Sequence, residues 1–315
     1  MGVVYTELIT TSAFGICLSL YTFRNVGFRF KKEYAKQLIS FGAPFILTNI
    51  GAFILTFSDR YFLKVYSSLD TVGIYSLGYK IGFLLSFVVT RPLQNIWAAQ
   101  RFEVVKQKDY TFTFNRTLLV YCLGLVSVGL FLSLFSRDLF RIMSAPAFVD
   151  AYRIVPIVVL AYTVQGLTSY FDFGIFYIGK SIEITKGTCI SAISIIALSF
   201  WLIPEFGGMG AASTTLIAFL IRLFYFYYSS QKLFKIEYQL GKVYACISIS
   251  VTIYLLYLFS LSRIRILDNI IFSICFSSFL ICVYFVLLLS FRIIPYEFVI
   301  KAKGLLIKKL SFQNN

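Results

Sequence analysis

The chain has 315 residues, of which 59% are hydrophobic and only 14% are charged. A water-soluble domain normally carries about a quarter charged residues, so this composition excludes a soluble protein and indicates a membrane protein. The net charge of +15 does not indicate nucleic-acid binding, because the lysines and arginines lie in short loops between apolar runs rather than on a polar domain.

Apolar runs of about 20 residues recur along the chain, and this length indicates transmembrane helices rather than barrel strands of about 10 residues. The pattern predicts about nine spans: 3–23, 38–58, 71–98, 115–135, 152–178, 184–203, 209–228, 241–260 and 268–291. Pro44 lies near the start of the second span and Pro92 near the end of the third, and we expect each proline to bend its helix.

The loops between the predicted spans alternate in charge. One set holds 19 lysines and arginines, whereas the alternate set holds 7. The richer set consists of 24–37, 100–116, 179–186, 229–242 and the tail after Phe291. Because positive residues favour the cytoplasmic side of a membrane, we expect these loops and the C-terminus to be cytoplasmic and the N-terminus to lie outside.

The third predicted span carries two cations, Lys80 and Arg91. They are 11 residues apart, which in an α-helix is about 20° beyond three full turns, so both side chains are expected on one face. That face also includes Ser76, Phe83, Phe87, Gln94 and Asn95. A cation deep in the bilayer costs about 3 kcal/mol, so this face should line a cavity, meet a counter-ion or bind an anionic ligand. The alternatives are an internal ion pair with Asp172 or Glu7, and a snorkelling position for Arg91.

Other charged residues also fall within or beside the spans. Asp59 and Arg60 end the second span, where they either pair with each other at the interface or add Arg60 to the cavity. Asp172 lies inside the fifth span and is either a proton or cation site or the partner of Lys80. Arg222 lies near the end of its span and is interpreted as snorkelling.

The sequence shows no combination of residues typical of a catalytic or metal-binding site. The sequence has no histidine, no closely spaced carboxylate pair within one loop and no nucleophile beside a base, so we expect no enzymatic activity. Its six cysteines all lie within apolar runs and form no C-x-x-C pair. We therefore expect no metal and no cofactor.

Several short segments carry a resemblance to a known family. Four of them are Phe41–Pro44, Ser58–Leu63, Val72–Lys80 and Gln94–Trp97. They resemble the seventh and eighth helices of bacterial polysaccharide flippases, the O-antigen and capsular-repeat exporters of the multidrug/oligosaccharidyl-lipid/polysaccharide exporter superfamily. A fifth segment, Leu202–Thr214, resembles the turn between the eleventh and twelfth helices of that family.

This resemblance implies an all-α integral membrane fold. Residues 1–23 would be the last helix of the family's first lobe, 24–37 a basic cytoplasmic linker, and 38–235 the six-helix second lobe. Residues 236–315 would form two extra helices and a basic cytoplasmic tail. The first five helices of the first lobe have no counterpart here, so the resemblance implies that this sequence is the C-terminal part of a flippase.

The resemblance also implies a function. The chain would flip undecaprenyl-diphosphate-linked oligosaccharide repeat units across the bacterial inner membrane by alternating access, for O-antigen, capsule or exopolysaccharide synthesis. The residues implied for substrate binding are Arg60, Lys80, Arg91, Gln94 and Asn95, and the candidate for ion coupling is Asp172. The expected partners are the lipid-linked oligosaccharide, membrane lipids, and a separate N-terminal lobe or polysaccharide-assembly proteins.

Three alternatives to this function remain open. A drug or cation antiporter of the same superfamily would need carboxylates in its cavity, whereas cations outnumber acids within the spans of the second lobe here. A polysaccharide polymerase or ligase would carry a long outer loop, and the longest outer loop here, 136–153, is short. A non-transporting remnant or accessory protein would contact only lipid and a partner.

Overall fold

The computed structural model describes residues 2–27, 31–264 and 269–293. Ten α-helices follow one another in these residues: α1 (Gly2–Val26), α2 (Lys32–Tyr66), α3 (Leu69–Leu85), α4 (Arg91–Val104), α5 (Tyr110–Met143), α6 (Val155–Phe171), α7 (Phe173–Ile178), α8 (Ser181–Leu233), α9 (Leu240–Arg263) and α10 (Ile270–Ser290). A π-helical turn, Ser86–Thr90, joins α3 to α4, and a 3₁₀-helix, Pro146–Arg153, precedes α6. The loop 265–268 and residues 294–315 of the predicted basic tail lie outside the described residues.

The chain divides into two compact units, Met1–Ile46 and Leu47–Asn315. The first unit contains α1 and the beginning of α2. The second unit contains the rest of α2 and all later helices, and the candidate site lies entirely within it. The predicted divisions into residues 1–23, 24–37, 38–235 and 236–315 remain predictions.

Several helices are suited to a membrane. Within the described residues, five helical segments are long and apolar enough to cross one: Leu69–Val104, Tyr110–Met143, Ser181–Leu233, Leu240–Arg263 and Ile270–Ser290. A sixth candidate consists of the 3₁₀-helix followed by Val155–Ile178, two pieces bent by 44°. Neither α1 nor α2 is among these candidates, and each contains side chains outside the described part of the chain. The all-helical membrane architecture is confirmed, whereas the number of nine spans remains a prediction.

Helix α8 contains two of the predicted spans, 184–203 and 209–228, in 53 residues. An unbroken helix of this length would extend about 80 Å, far more than the roughly 30 Å of the hydrocarbon core. The helix is interrupted at Gly207, whose φ of 53° and ψ of −128° suit a residue without a Cβ atom. Pro204 lies just before this kink. The interruption therefore separates the two predicted spans.

Helices α2 and α3 form the hairpin that the sequence predicts, joined by Ser67 and Ser68. The hydroxyl oxygen of Ser68 accepts a hydrogen bond from the backbone N–H of Thr71 at 3.2 Å. This contact satisfies one of the free N–H groups at the start of α3 and fixes where the helix begins.

The π-helical turn Ser86–Thr90 lies directly before α4, whose second residue is Pro92, where the sequence predicts a bend. Because Pro92 has no N–H, it cannot donate to the carbonyl four residues earlier, and the α-helical pattern is interrupted. The N–H of Arg91 donates instead to the carbonyl of Ser86. A π turn contains about one extra residue and so rotates the helix beyond it. The predicted 20° angle between Lys80 and Arg91 holds only for an unbroken α-helix. The π-helical turn between these residues changes that angle.

Helix α6 packs against α3, α5 and α8 in the second unit. Two glycines of α3 allow this helix to approach α6 and the 3₁₀-helix before it closely. A Cβ atom at Gly78 would lie 2.6 Å from the carbonyl oxygen of Ala151, and one at Gly82 would lie 2.6 Å from Val158. Small residues permit such contacts between membrane helices, where tight packing rather than the hydrophobic effect drives association.

Helices α9 and α10 pack against α5. The hydroxyl of Ser127 on α5 donates to that of Tyr284 on α10 at 3.3 Å. The hydroxyl of Ser273 on α10 donates to the buried carboxylate of Asp138 on α5 at 2.7 Å. These polar contacts attach the C-terminal helices to the rest of the second unit.

Candidate substrate-facing site

The end of α2 holds a buried carboxylate beside an arginine. Asp59 is fully buried, and its carboxylate accepts hydrogen bonds from the hydroxyl of Tyr75 and from the backbone N–H of Arg60. The guanidinium of Arg60 lies 3.3 Å from the same carboxylate and donates to the carbonyl of Thr56 at 2.7 Å. A buried charge is stable only when it is paired and hydrogen-bonded, so Asp59 holds Arg60 in one orientation.

A continuous row of aromatic rings leads from Arg60 along α3. The guanidinium of Arg60 lies 4.4 Å from the centre of the Tyr79 ring, and the Tyr79 hydroxyl is 2.6 Å from that of Tyr162. The Phe83 ring packs against Tyr162 at 5.0 Å and against Phe87 at 4.9 Å. We call the residues Arg60, Tyr79, Tyr162, Phe83, Phe87 and Arg91 the cation–aromatic path.

The far end of the cation–aromatic path is Arg91. Its guanidinium lies 3.9 Å from the centre of the Phe87 ring and 5.9 Å from that of Phe83. A cation over an aromatic face is attracted by the negative potential of that face. Because Arg91 is also exposed, it can contact a ligand while it keeps its contacts with these two rings.

The other predicted substrate-binding residues lie on the same helices. Lys80 and Asn95 are exposed and Gln94 is half-buried. Among the described residues, none of these three side chains has an ion-pair or hydrogen-bond partner. The structure thus brings Arg60 and Arg91 onto one aromatic row, with Lys80 next to Tyr79 in the chain.

A second charged cluster lies at the break between α6 and α7. The guanidinium of Arg101, on α4, donates to the carboxylate of Asp172 at 2.7 Å, and these side chains are only 8% and 14% exposed. Arg222 on α8 also interacts electrostatically with this carboxylate. The Arg101 guanidinium is enclosed by aromatic rings at 5.2–5.6 Å: Phe102, Phe173 and Phe176. Asp172 is therefore paired with Arg101 rather than with Lys80.

The sequence predicts that Arg101 lies in a loop between two spans, and this loop assignment is wrong, whereas the cytoplasmic side of the segment remains a prediction. The residue lies inside α4 and is 7% exposed. Tyr75 and Tyr79 are also missing from the predicted site residues, although a weak signal for them exists in the sequence, because they continue the four-residue spacing of Phe83, Phe87 and Arg91. Residues four apart are neighbours on a helix surface, so this spacing places each side chain beside the next.

The acidic residues are too dispersed for a metal centre. In the part of the chain that the structure describes, no group of three histidine, cysteine, aspartate or glutamate side chains could hold a metal ion. The charged contacts of the two clusters described above are the arginine–carboxylate pairs Arg60–Asp59 and Arg101–Asp172.

Comparisons with known proteins agree with this architecture. Residues 2–97 match the family described as "Polysaccharide biosynthesis protein". Over 222 residues the chain is 23% identical to a protein of Shigella flexneri named "Putative O-antigen transporter". The aligned region covers 67% of this chain and 50% of that protein. The structure superposes on the lipid II flippase MurJ in its inward closed conformation with a TM-score of 0.63 and 15% identity, over 84% of this chain and 56% of that chain.

Residues 2–97 thus resemble the polysaccharide biosynthesis family, and the fold of the chain is similar to that of MurJ. The resemblance predicted from the sequence is thereby confirmed. The chain spans about half the length of each protein that it matches. Both of those proteins are named for transport across a membrane.

Proposed function

We propose that the chain takes part in flipping polyprenyl-diphosphate-linked oligosaccharide repeat units across the bacterial inner membrane, for O-antigen, capsule or exopolysaccharide synthesis. The observation that carries this proposal is the cation–aromatic path together with the neighbouring Lys80. The two proteins named above, an O-antigen transporter and a lipid II flippase, support it.

The chemistry of such a substrate matches the path. Its diphosphate is anionic and its glycan is polar, so neither enters hydrocarbon without compensation. The cations Arg60, Lys80 and Arg91 would bind the diphosphate through charge-assisted hydrogen bonds. Gln94 and Asn95 offer amide groups to sugar hydroxyls, and the polyprenyl tail would stay in lipid. Rocking of one lobe against another would then alternate access between the two sides.

A drug or cation antiporter fits the same superfamily but not this charge balance. A cationic substrate needs an available carboxylate. Asp59 and Asp172 are each engaged by an arginine, whereas Lys80 has no acidic partner among the described residues. This balance favours an anionic substrate.

Asp172 is also our candidate for coupling transport to a proton or sodium gradient. Binding of a proton or a cation to its carboxylate would weaken the contact with Arg101. That contact joins α4 to the break between α6 and α7. Its release would free the end of the helix that carries Arg91, Gln94 and Asn95.

The remaining part of the substrate cavity would come from residues beyond this sequence, because the chain spans about half of its relatives. A separate N-terminal lobe or another polysaccharide-assembly protein could supply it. The proposed orientation has the C-terminus in the cytoplasm. The second lobe would be residues 38–235, followed by two extra helices and a tail.

The test uses cells in which this gene is deleted. We would measure the amount of polyprenyl-linked oligosaccharide on each side of the membrane in three strains. These are the deletion strain, the strain complemented by this chain, and the strain complemented by the Lys80→Ala plus Arg91→Ala variant. Because each charge-assisted contact contributes about 1.5–3 kcal/mol, the double variant should slow clearance at least tenfold. The expected result is substrate trapped on the cytoplasmic side.

The matched control is Lys106→Ala plus Arg153→Ala, which removes two exposed cations elsewhere. It should clear the substrate as the unchanged chain does. If deletion causes no accumulation, or if the Lys80 and Arg91 variant clears normally, the proposal is wrong. Accumulation that this chain alone cannot clear would mean that flipping requires the additional lobe.

A further inference from the structure

An open cavity of about 610 Å³ lies where α8 ends and the chain passes to α9. Its lining includes Tyr227, Tyr228, Lys232, Lys235, Glu237 and Tyr238. Both α8 and α9 are candidate membrane spans. The segment that joins them, and therefore this cavity, lies at a boundary between membrane and water.

The linker that forms one wall of the cavity is held in place by two side-chain amides. The Gln231 amide donates to the carbonyl of Ile236 at 2.9 Å and accepts from the N–H of the same residue at 3.0 Å. The Asn115 amide, on α5, donates to the carbonyl of Glu237 at 2.8 Å and accepts from the N–H of Gln239 at 2.6 Å. The backbone of the linker is thus fixed before any ligand binds.

Aromatic side chains also line the cavity, and two of them, Tyr227 and Tyr238, pack on Phe171. Phe171 packs against Tyr238 at 4.9 Å and against Tyr227 at 5.2 Å. Nearby on α8, Phe224 and Tyr228 are 69% and 71% exposed, as expected of side chains that face lipid. Tyr228 also lines the cavity, so an exposed aromatic side chain of α8 stands at its edge.

The charged side chains of the cavity point to an anionic ligand. Lys232 and Lys235 are both exposed, and among the described residues neither has an ion-pair partner. A lysine in the last turn of a helix can simply compensate the helix dipole. This explanation covers Lys232 but not Lys235, which lies beyond the end of α8 at Leu233.

We propose that this cavity binds the headgroup of an anionic phospholipid of the phosphatidylglycerol class. The chemistry to be recognised is a phosphate bearing one negative charge, which the two ammonium groups would hold. Glu237 is exposed and, when ionised, can accept a hydrogen bond from a headgroup hydroxyl. A glycerol headgroup supplies both the phosphate and the hydroxyls, and basic sites at membrane boundaries bind such lipids.

The test measures lipid binding by the purified full chain with native mass spectrometry. Phosphatidylglycerol, phosphatidylcholine and inorganic phosphate are titrated separately. We expect phosphatidylglycerol to bind at least tenfold more tightly than phosphatidylcholine. With Lys232→Ala plus Lys235→Ala, we expect the Kd for phosphatidylglycerol to rise about 30-fold, from the contribution of two basic residues at an anionic lipid.

Lys106→Ala plus Lys108→Ala is the matched control, because it removes the same charge from another exposed loop between two helices. It should leave the Kd unchanged, and circular dichroism should report equal helix content for all variants. Equal affinity for the two lipids, an unchanged Kd in the Lys232 and Lys235 variant, or displacement of the lipid by equimolar inorganic phosphate would each overturn the proposal. None of these measurements depends on transport, so this proposal and the proposed function can fail separately.

Discussion

The ion pair between Arg101 and Asp172 illustrates, at the scale of single residues, how charge is kept inside an apolar protein. Removing a charge from water costs several kcal/mol, and an opposite charge offsets this only when the geometry is good. The 2.7 Å contact meets that requirement, and the rings around Arg101 exclude water. Removal of either partner would leave the other as an uncompensated charge.

We therefore predict that Asp172→Ala lowers the free energy of unfolding by about 3–5 kcal/mol. The measurement is unfolding of the purified protein in detergent micelles, followed by helix content. Glu103→Ala is the control, because it breaks the Lys106–Glu103 pair, whose side chains are 67% and 74% exposed. Such an exposed pair contributes about 0–1 kcal/mol. Equal losses for the two variants would contradict the assignment of Arg101 and Asp172 as a buried pair.

The sequence offers the Asp59–Arg60 pair as one of two alternatives but does not predict the Arg101–Asp172 pair, for a physical reason. Asp59 and Arg60 are adjacent, so their pairing is visible in the chain itself. Arg101 and Asp172 are 71 residues apart and meet only because α4 extends beyond the predicted end of its apolar run. Hydropathy marks where a span becomes polar, whereas the helix continues for as long as tertiary contacts support it.

At the scale of elements, the contact between α3 and the segment before α6 depends on one glycine. A Cβ atom at Gly78 would approach a backbone oxygen of Ala151 at 2.6 Å and the Cβ atom of Ile154 at 3.0 Å. Backbone atoms cannot rotate away as a flexible side chain can. Helix α3 would have to move, and it carries Tyr75 and Tyr79 of the Asp59–Arg60 site.

Gly78→Ala should therefore destabilise the protein by about 1–3 kcal/mol, the usual cost of overpacking. Gly241→Ala on α9 is the matched control, because a Cβ atom there would meet no heavy atom within 4 Å. Alanine favours a helix over glycine by up to about 1 kcal/mol, so the control should be neutral or slightly stabilising. Both variants are compared with the unchanged chain in the same unfolding assay. A neutral Gly78→Ala variant would show that α3 does not approach this closely.

The helices themselves are largely predictable, and their interruptions are not. In the part of the chain that the structure describes, the predicted apolar runs are almost entirely helical, because a chain in lipid must satisfy its own backbone hydrogen bonds. Pro92 predicts a bend but not a π-helical turn, which depends on how the Arg91 N–H is satisfied. The kink at Gly207 likewise depends on a φ of 53° that composition does not reveal.

At the scale of the whole molecule, the bias of lysine and arginine toward alternate loops sets the expected orientation. Two exposed positions can test this orientation, because it predicts that they lie on opposite sides of the membrane. Lys108 lies in the turn between α4 and α5, and Ala147 lies in the 3₁₀-helix after α5. Since α5 is a candidate span, these two positions should face opposite sides of the membrane.

We predict that Ala147→Cys faces outward and Lys108→Cys faces the cytoplasm, in a background whose native cysteines are changed to alanine. A membrane-impermeant thiol reagent applied to spheroplasts should label Ala147→Cys at once, and Lys108→Cys only after the membrane is opened. The physical reason is that translocating a positively charged loop is unfavourable, so the loop rich in lysine and arginine stays inside. If Lys108→Cys alone is labelled, the orientation is the opposite of the one predicted. The end of α2, which holds the Asp59–Arg60 pair, would then lie on the cytoplasmic side. Labelling of both positions would mean that α5 does not cross the membrane.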